Sequence, residues 1–202
     1  MVHERSIEIR HWLEAHQADI KKGKIRVYAV DECHAQGGDA CGYLWADRQE
    51  RGEILVDNYR DSQTYFGALD CVNQDMTLQA TKTANSESTI NFVKRLKAQC
   101  GQAKLVLIWD GASYHRSKDF RHYLESVNGG DDWQIHCLRL APYAPETNPI
   151  ENIWGQAKQM LRQMYHRCQS FTVIKTLFEL FINHRLFTMP DFNTYEAFSC
   201  LK

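Results

Sequence analysis

The sequence predicts an α/β domain in which helices cover one mixed sheet, and three observations lead to that class. Apolar strand-like runs come first as a meander and then alternate with amphipathic helices over the 202 residues, the order of antiparallel strands joined to β-α-β crossovers. Leu105-Val106-Leu107-Ile108-Trp109 is an unbroken apolar run, as in a strand buried on both faces. The stretch 140–154 places three of the chain's four prolines just ahead of a helix start, where proline at the first helical position is favoured.

The elements follow in order. Ile7, Ile9, Trp12, Leu13 and Ile20 lie near a 3.6 period, which predicts an amphipathic helix over 4–20 that ends at Lys21-Lys22-Gly23-Lys24. Residues 1–24 therefore read as an N-terminal helix and lead-in, and 25–202 as the main domain with its C-terminal helices. A strand follows over 25–31, then a turn-rich stretch with Gly37-Gly38 and Gly42. Short strands are expected at 42–46 and 53–57. Strands at 64–72 and 76–81 about the turn Asn73-Gln74-Asp75 make a hairpin. Ser86 caps a helix over 87–100 with the stripe Ile90, Phe92, Val93, Leu96, Cys100, and Gly101 stops it. The apolar strand covers 104–109. Ser117 caps a helix carrying Phe120, Tyr123, Leu124 and Val127, ended by Asn128-Gly129-Gly130. A last strand spans 134–140, and helices span 149–166 and 172–187. With no repeat, low-complexity segment or linker, one domain is expected.

Composition narrows the function classes. Hydrophobic residues make up 44% and charged residues 24%, an ordinary globular balance rather than a disordered one. No apolar run reaches membrane-spanning length and no signal-peptide pattern opens the chain, so a cytoplasmic protein without membrane contact is expected. Seven widely spaced cysteines, an odd number with no Cys-x-x-Cys pair, argue for reduced thiols over a disulfide framework or a zinc site built on Cys33, His34 and Cys41. A net charge of −1 counts against a dedicated nucleic-acid-binding protein but not against a catalytic domain served by a separate DNA-binding module. The basic groups Arg116, Lys118, Arg121, His122 and Lys158, Arg162, His166, Arg167 read as solvated helix faces.

Three acidic residues carry the chemistry. Asp31 ends an apolar strand, where a carboxylate is costly unless solvated, paired or metal-bound. Asp110 follows the apolar strand and precedes Gly111; a turn would explain it, but sites in α/β sheets gather at the carboxyl ends of strands. Asn148 suits an N-cap and Pro149 the next position, which puts Glu151 where a capping box would have it. Trp154, Ala157 and Leu161, at three- and four-residue steps, instead mark that side of the helix as sheet-facing. Three such carboxylates could not all ionise together without cations. An all-oxygen ligand set suits Mg2+ or Mn2+, and two ions about 4 Å apart would serve an in-line displacement at phosphorus.

Val30-Asp31-Glu32, Ile108-Trp109-Asp110-Gly111-Ala112-Ser113-Tyr114-His115-Arg116-Ser117 and Ala141-Pro142-Tyr143-Ala144-Pro145-Glu146-Thr147-Asn148-Pro149-Ile150-Glu151-Asn152-Ile153-Trp154 resemble the three signature blocks of the mariner-like DDE transposases, in the branch of bacterial insertion sequences. The resemblance covers about residues 25–165, and its third block is the specific one. It implies a ribonuclease H-like fold with a five-stranded mixed sheet flanked by helices, and Asp31, Asp110 and Glu151 as catalytic metal ligands. It further implies metal-dependent DNA cleavage at transposon ends, transfer of the 3′ hydroxyl into target DNA, and a homodimer on double-stranded DNA. Two departures stand out. The spacing from Asp110 to Glu151 is longer than is usual, and only one helix precedes Asp31 where relatives carry helix-turn-helix modules. The chain then resembles a catalytic half, a second reading-frame product or a truncated copy, with a separate helix-turn-helix chain as a candidate partner for end recognition.

The same residues admit other readings. Ser113 and His115 beside Asp110 suggest a hydrolase triad, but Gly111-Ala112-Ser113-Tyr114-His115 lacks the final glycine of a nucleophile elbow. His115 is expected beside the metal site or bonded within its loop, and Trp109 and Trp154 in the core. The competing functions are a non-catalytic or repurposed DNA-binding or assembly protein, and a structure-specific nuclease on the same sheet.

Overall fold

The computed structural model describes residues 2–40, 61–130 and 132–201. The strands expected at 42–46 and 53–57 lie outside them, as does Cys41. Helices α1 (Val2–Ala15) and α2 (Gln17–Lys21) lead into β1 (Ile25–Gln36), then the hairpin β2 (Ser62–Asp70) and β3 (Asp75–Thr81). Next come α3 (Ser86–Cys100), β4 (Lys104–Trp109), α4 (Lys118–Val127), β5 (Ile135–Arg139), α5 (Pro149–Gln163) and α6 (Phe171–Asn183). The strands form one sheet in the order β3-β2-β1-β4-β5. β1 and β3 pair antiparallel with β2, while β4 pairs parallel with both β1 and β5.

Alternation along β1 divides the interior. Val27, Ala29 and Cys33 join one core with Ile153, Ala157 and Leu161 of α5 and Phe178 of α6. Tyr28 and Val30 join a second with Phe92, Val93 and Leu96 of α3 and Phe120 of α4. Successive strand residues face opposite sides, so the two cores are the two faces of the sheet. Ile9, Leu13 and Ile20 belong to the first core, as do Ala197, Phe198 and Leu201 near the C-terminus. Among the described residues, no helix is long and apolar enough to cross a membrane, and their six cysteines are free. Cys33 and His34 point to opposite sides of β1: Cys33 is in the core, and His34 bonds Thr64 Oγ1 at 3.0 Å.

The structure moves several boundaries for local reasons. The first helix breaks at His16, whose Nδ1 donates to the Trp12 carbonyl at 2.8 Å, while the His16 amide turns to Leu13 O. The ring takes the acceptor that the next helical N–H would need. α5 ends at Gln163 and a single turn follows at Tyr165–Arg167. α6 stops at Asn183, before Arg185 enters the left-handed region at φ 53°, as at many helix C-termini. Asp70 is 1% exposed; its carboxylate takes the Val72 and Asn73 amides and pairs with Arg26, which forms the hairpin turn.

Candidate active site

Asp31 was expected at the end of a strand, but it lies inside β1, which runs on to Gln36 paired with β2 alone. What ends is the pairing with β4, at Ala29↔Ile108. The sheet therefore opens between β1 and β4 just where Asp31 emerges, the crevice that α/β sheets use for sites. Asp31 shares the face of Ala29 and Cys33, toward α5, and Trp154 Nε1 donates to its Oδ2 at 3.2 Å. Trp154 comes this close because Asp31 pairs across the ladder with Gly67. A Cβ on Gly67 would stand 2.3 Å from Trp154 Cζ2, so only glycine leaves room for the indole.

Asp110 follows β4 directly, at the mouth of the same opening. Its Oδ1 accepts the Ala112 amide at 3.0 Å and lies 3.3 Å from His115 Nδ1. His115 is 4% exposed, stacks on Trp109 with ring centroids 3.9 Å apart, and reaches Glu32 Oε1 with Nε2 at 3.3 Å. A chain Glu32–His115–Asp110 thus ties the loop after β4 to the far face of β1. His115 is bonded within its loop and beside the acidic site, as the sequence reading placed it. The sequence offers Glu32 only as part of the Val30-Asp31-Glu32 block; its signal is a second acid next to Asp31 in an apolar strand.

Glu151 sits in the first turn of α5. Asn148 caps that helix, its side chain accepting from Ile150 N, and its Nδ2 donates to Val30 O at 3.1 Å. One buried side chain thereby fixes the helix start against the residue before Asp31. The Asn148 amide goes to Pro145 O at 2.9 Å, so it does not need the Glu151 carboxylate, and the capping box left open by the sequence does not form. Trp154, Ala157 and Leu161 are buried in the first core, and Trp109 is buried in the second.

The acids divide their charge unequally. Burial first, then the charges of Glu151 and Glu32, push the Asp31 carboxyl up to about 8. Burial also raises Glu151; Lys158 and a hydrogen bond with Asp31 oppose it. Burial and the neighbouring acids thus favour the protonated form of Asp31 over the charged one. Asp110 is lowered, chiefly by its bond to His115. Burial opposes the charge on His115, but Asp110 and Glu32 outweigh it and raise the imidazole to about 8.

Asp31, Asp110 and Glu151 line one cleft of about 540 Å³ together with Arg5, Arg116 and Arg139. A slightly larger cleft, about 590 Å³, at the opposite strand ends beside Lys24 and Lys104, holds none of the three, so chemistry and not volume selects the site. Arg5 comes from α1 and was missed in the sequence, where nothing ties a helical arginine to residues so far along the chain. Among the described residues, no three acid, histidine or cysteine side chains form a ready metal-holding group; Asp110 is engaged with its own loop.

A profile of the DDE superfamily endonucleases matches residues 26–172. The chain belongs to that family. Its fold is the ribonuclease H-like sheet expected from the sequence: the catalytic domain of Mos1 mariner transposase superimposes with a TM-score of 0.55 at 15% identity, covering 98% of this chain and 83% of that one. The Mos1 mariner paired-end complex with Mn gives 0.61 at 14% identity, covering 98% of this chain and 58% of that one. A relative by sequence is the insertion element IS630 uncharacterized 39 kDa protein of Shigella sonnei, 23% identical over 145 residues, 71% of this chain. The chain spans about 40% of that protein's length.

Proposed function

We propose that this chain is the catalytic domain of a transposase that cuts DNA at transposon ends with divalent cations and joins the freed 3′ hydroxyl to target DNA. One observation carries the reading: Asp31, Asp110 and Glu151, from a strand, a loop and a helix far apart in sequence, meet in one arginine-lined cleft. The donor set fits a divalent cation. Burial disfavours the charged form of both Asp31 and Glu151, a cost that a bound cation would offset, and hard oxygen ligands suit Mg2+ or Mn2+. The Mos1 structures named with Mn and with Mg support this choice. When bound, one or two such ions would ease deprotonation of the attacking oxygen and offset charge on the leaving one.

Asp31, Glu151 and Asp110 would supply the ligands. The Trp154 N–H holds Asp31 in place, and the His115 cation offsets Asp110 and Glu32. Arg116 and Arg139 offer planar, bidentate partners for phosphates. In cleavage, a water oxygen bonds to phosphorus and the bond to the 3′ oxygen breaks, leaving a 3′ hydroxyl and a 5′ phosphate. In joining, that hydroxyl attacks a target phosphate and the target's own 3′ oxygen leaves. The reading extends to a homodimer that holds two ends, by analogy with the Mos1 paired-end complex, and to a separate chain that carries helix-turn-helix recognition.

The test is cutting of a plasmid that carries the element's ends. Mg2+-dependent nicking and joining are expected from the wild type, with a drop of about 100-fold or more in Asp110→Asn and Glu151→Gln. No cutting by any of them would favour a binding or assembly protein. Cutting of any branched DNA without joining would favour a structure-specific nuclease.

A further inference from the structure

We propose that Tyr143 is a base-stacking residue, its ring taking a nucleobase that has left the DNA stack beside the reacting phosphate. The inference rests on the proposed DNA-cutting function and deepens it. Tyr143 is 102% exposed, the most exposed large hydrophobic side chain among the described residues. It lines the cleft that holds Asp31, Asp110 and Glu151, and it shares that cleft with Arg116 and Arg139.

Its backbone is the second observation. Tyr143 has φ 56°, a region that a bulky residue enters at a cost. Pro142 before it presets its own φ, and proline followed by a left-handed residue is the type II turn pattern, whose second central position suits glycine. A tyrosine is held there instead. The loop around it is anchored: Leu140, Ala141 and Ala144 are buried, Leu140 N bonds Trp109 O at 2.8 Å, and the Thr147 amide and hydroxyl both donate to Ala144 O. Strain that persists at a cleft rim because its surroundings hold it points to function. A ring displayed on a fixed loop also loses little freedom on binding.

The neighbours identify the partner. Guanidinium groups suit phosphates, and an exposed aromatic face in the lining of the same cleft suits the π-face of a base. In an intact duplex each base already stacks on its neighbours, so the ring needs a base that has been unstacked, as in enzymes that work on a distorted strand. The reacting step would therefore be opened by Tyr143 while the arginines hold its phosphates.

The experiment uses the full chain and short duplexes with a 2-aminopurine at each position near the cut, with and without Mg2+. Wild type and Tyr143→Phe are expected to change the probe's fluorescence at one or two positions. Tyr143→Ala and Tyr143→Gly should abolish that change and weaken binding to an unpaired strand on the order of tenfold. Tyr143→Gly also relieves the backbone, so its melting temperature should stay level or rise, which separates loss of stacking from loss of fold. If plasmid nicking is intact and the alanine variant gives the wild-type probe signal and affinity, stacking is wrong while the nuclease reading stands. If the alanine variant keeps the DNA signal but loses self-association in sedimentation, the ring is a protein contact and the proposal fails. If the wild type neither nicks nor binds DNA, both readings fall.

Discussion

Asp31 shows how a single side chain can set a stability cost. Its carboxyl titrates near 8 in the folded protein and near 4 when unfolded. Between those values the folded state holds a proton that the unfolded state has released. The stability associated with this group is full below pH 4 and is lost as pH rises toward 8. In EDTA at pH 7.5, Asp31→Asn is therefore expected to raise stability, on the order of 2 kcal/mol or about 4–8 °C in melting temperature. At pH 4 the difference should vanish. A variant that melts at or below the wild type at both pH values would show that the carboxylate is not held in a costly environment. The same residue illustrates what the sequence conveys: an acid in an apolar strand marks the position, but only the Trp154 N–H and Glu151 beside it reveal which form it takes.

The site is built at the level of elements by the approach of α5 to β2. Gly67 leaves space for Trp154, and Trp154 holds Asp31. Gly67→Ala would drive a methyl into the indole, at a cost of about 1–3 kcal/mol for overpacking. It would also move the N–H away from Asp31, so a fall in melting temperature with loss of DNA cutting is expected. Trp154→Phe keeps most of the packing and removes the donor, so it should cost less stability, about 1 kcal/mol. Equal melting curves for Gly67→Ala and the wild type would contradict the close packing. A strand glycine suggests a close approach to something, yet the sequence cannot say what comes near, because Gly67 and Trp154 meet only when α5 crosses the sheet. Asn148 is a comparable case: its capping role is legible from Asn148-Pro149, while its bond to Val30 depends on the fold.

Across the whole molecule, α1 links the sheet's two ends. Arg5 reaches the acidic cleft, and near the other end of α1 the Trp12 ring stacks between His16 at 3.9 Å and His136 of β5 at 4.8 Å, with Trp133 on its edge at 5.9 Å. Burial, then the charge of His16, lower His136 below its usual 6.5. The unfolded chain therefore binds a proton more readily than the folded one does. The stability from neutral His136 is present above pH 6.5 and is lost as pH falls through its folded value. Acidification from pH 7 to 5 is expected to lower the melting temperature by a few degrees and shift the tryptophan emission, and His136→Phe should flatten both. An unchanged slope in that variant would assign the acid sensitivity to another group.

From the sequence alone came the α/β class, the hairpin, the helix starts at Asn148-Pro149 and Ser117, and the acidic trio, because each is written in local periodicity, capping chemistry or an acid set against apolar neighbours. The resemblance of its three blocks added the ribonuclease H-like fold. Tertiary structure alone decided that β1 continues past Asp31 while β4 falls away, that Arg5 joins the cleft, that Glu32 and His115 tie the loop after β4 to the far face of β1, and that Gly67 makes room for Trp154. Those features depend on where separate segments come to lie in space. Strand pairing and burial set them, and no local stretch of residues encodes the distance between two parts of the chain.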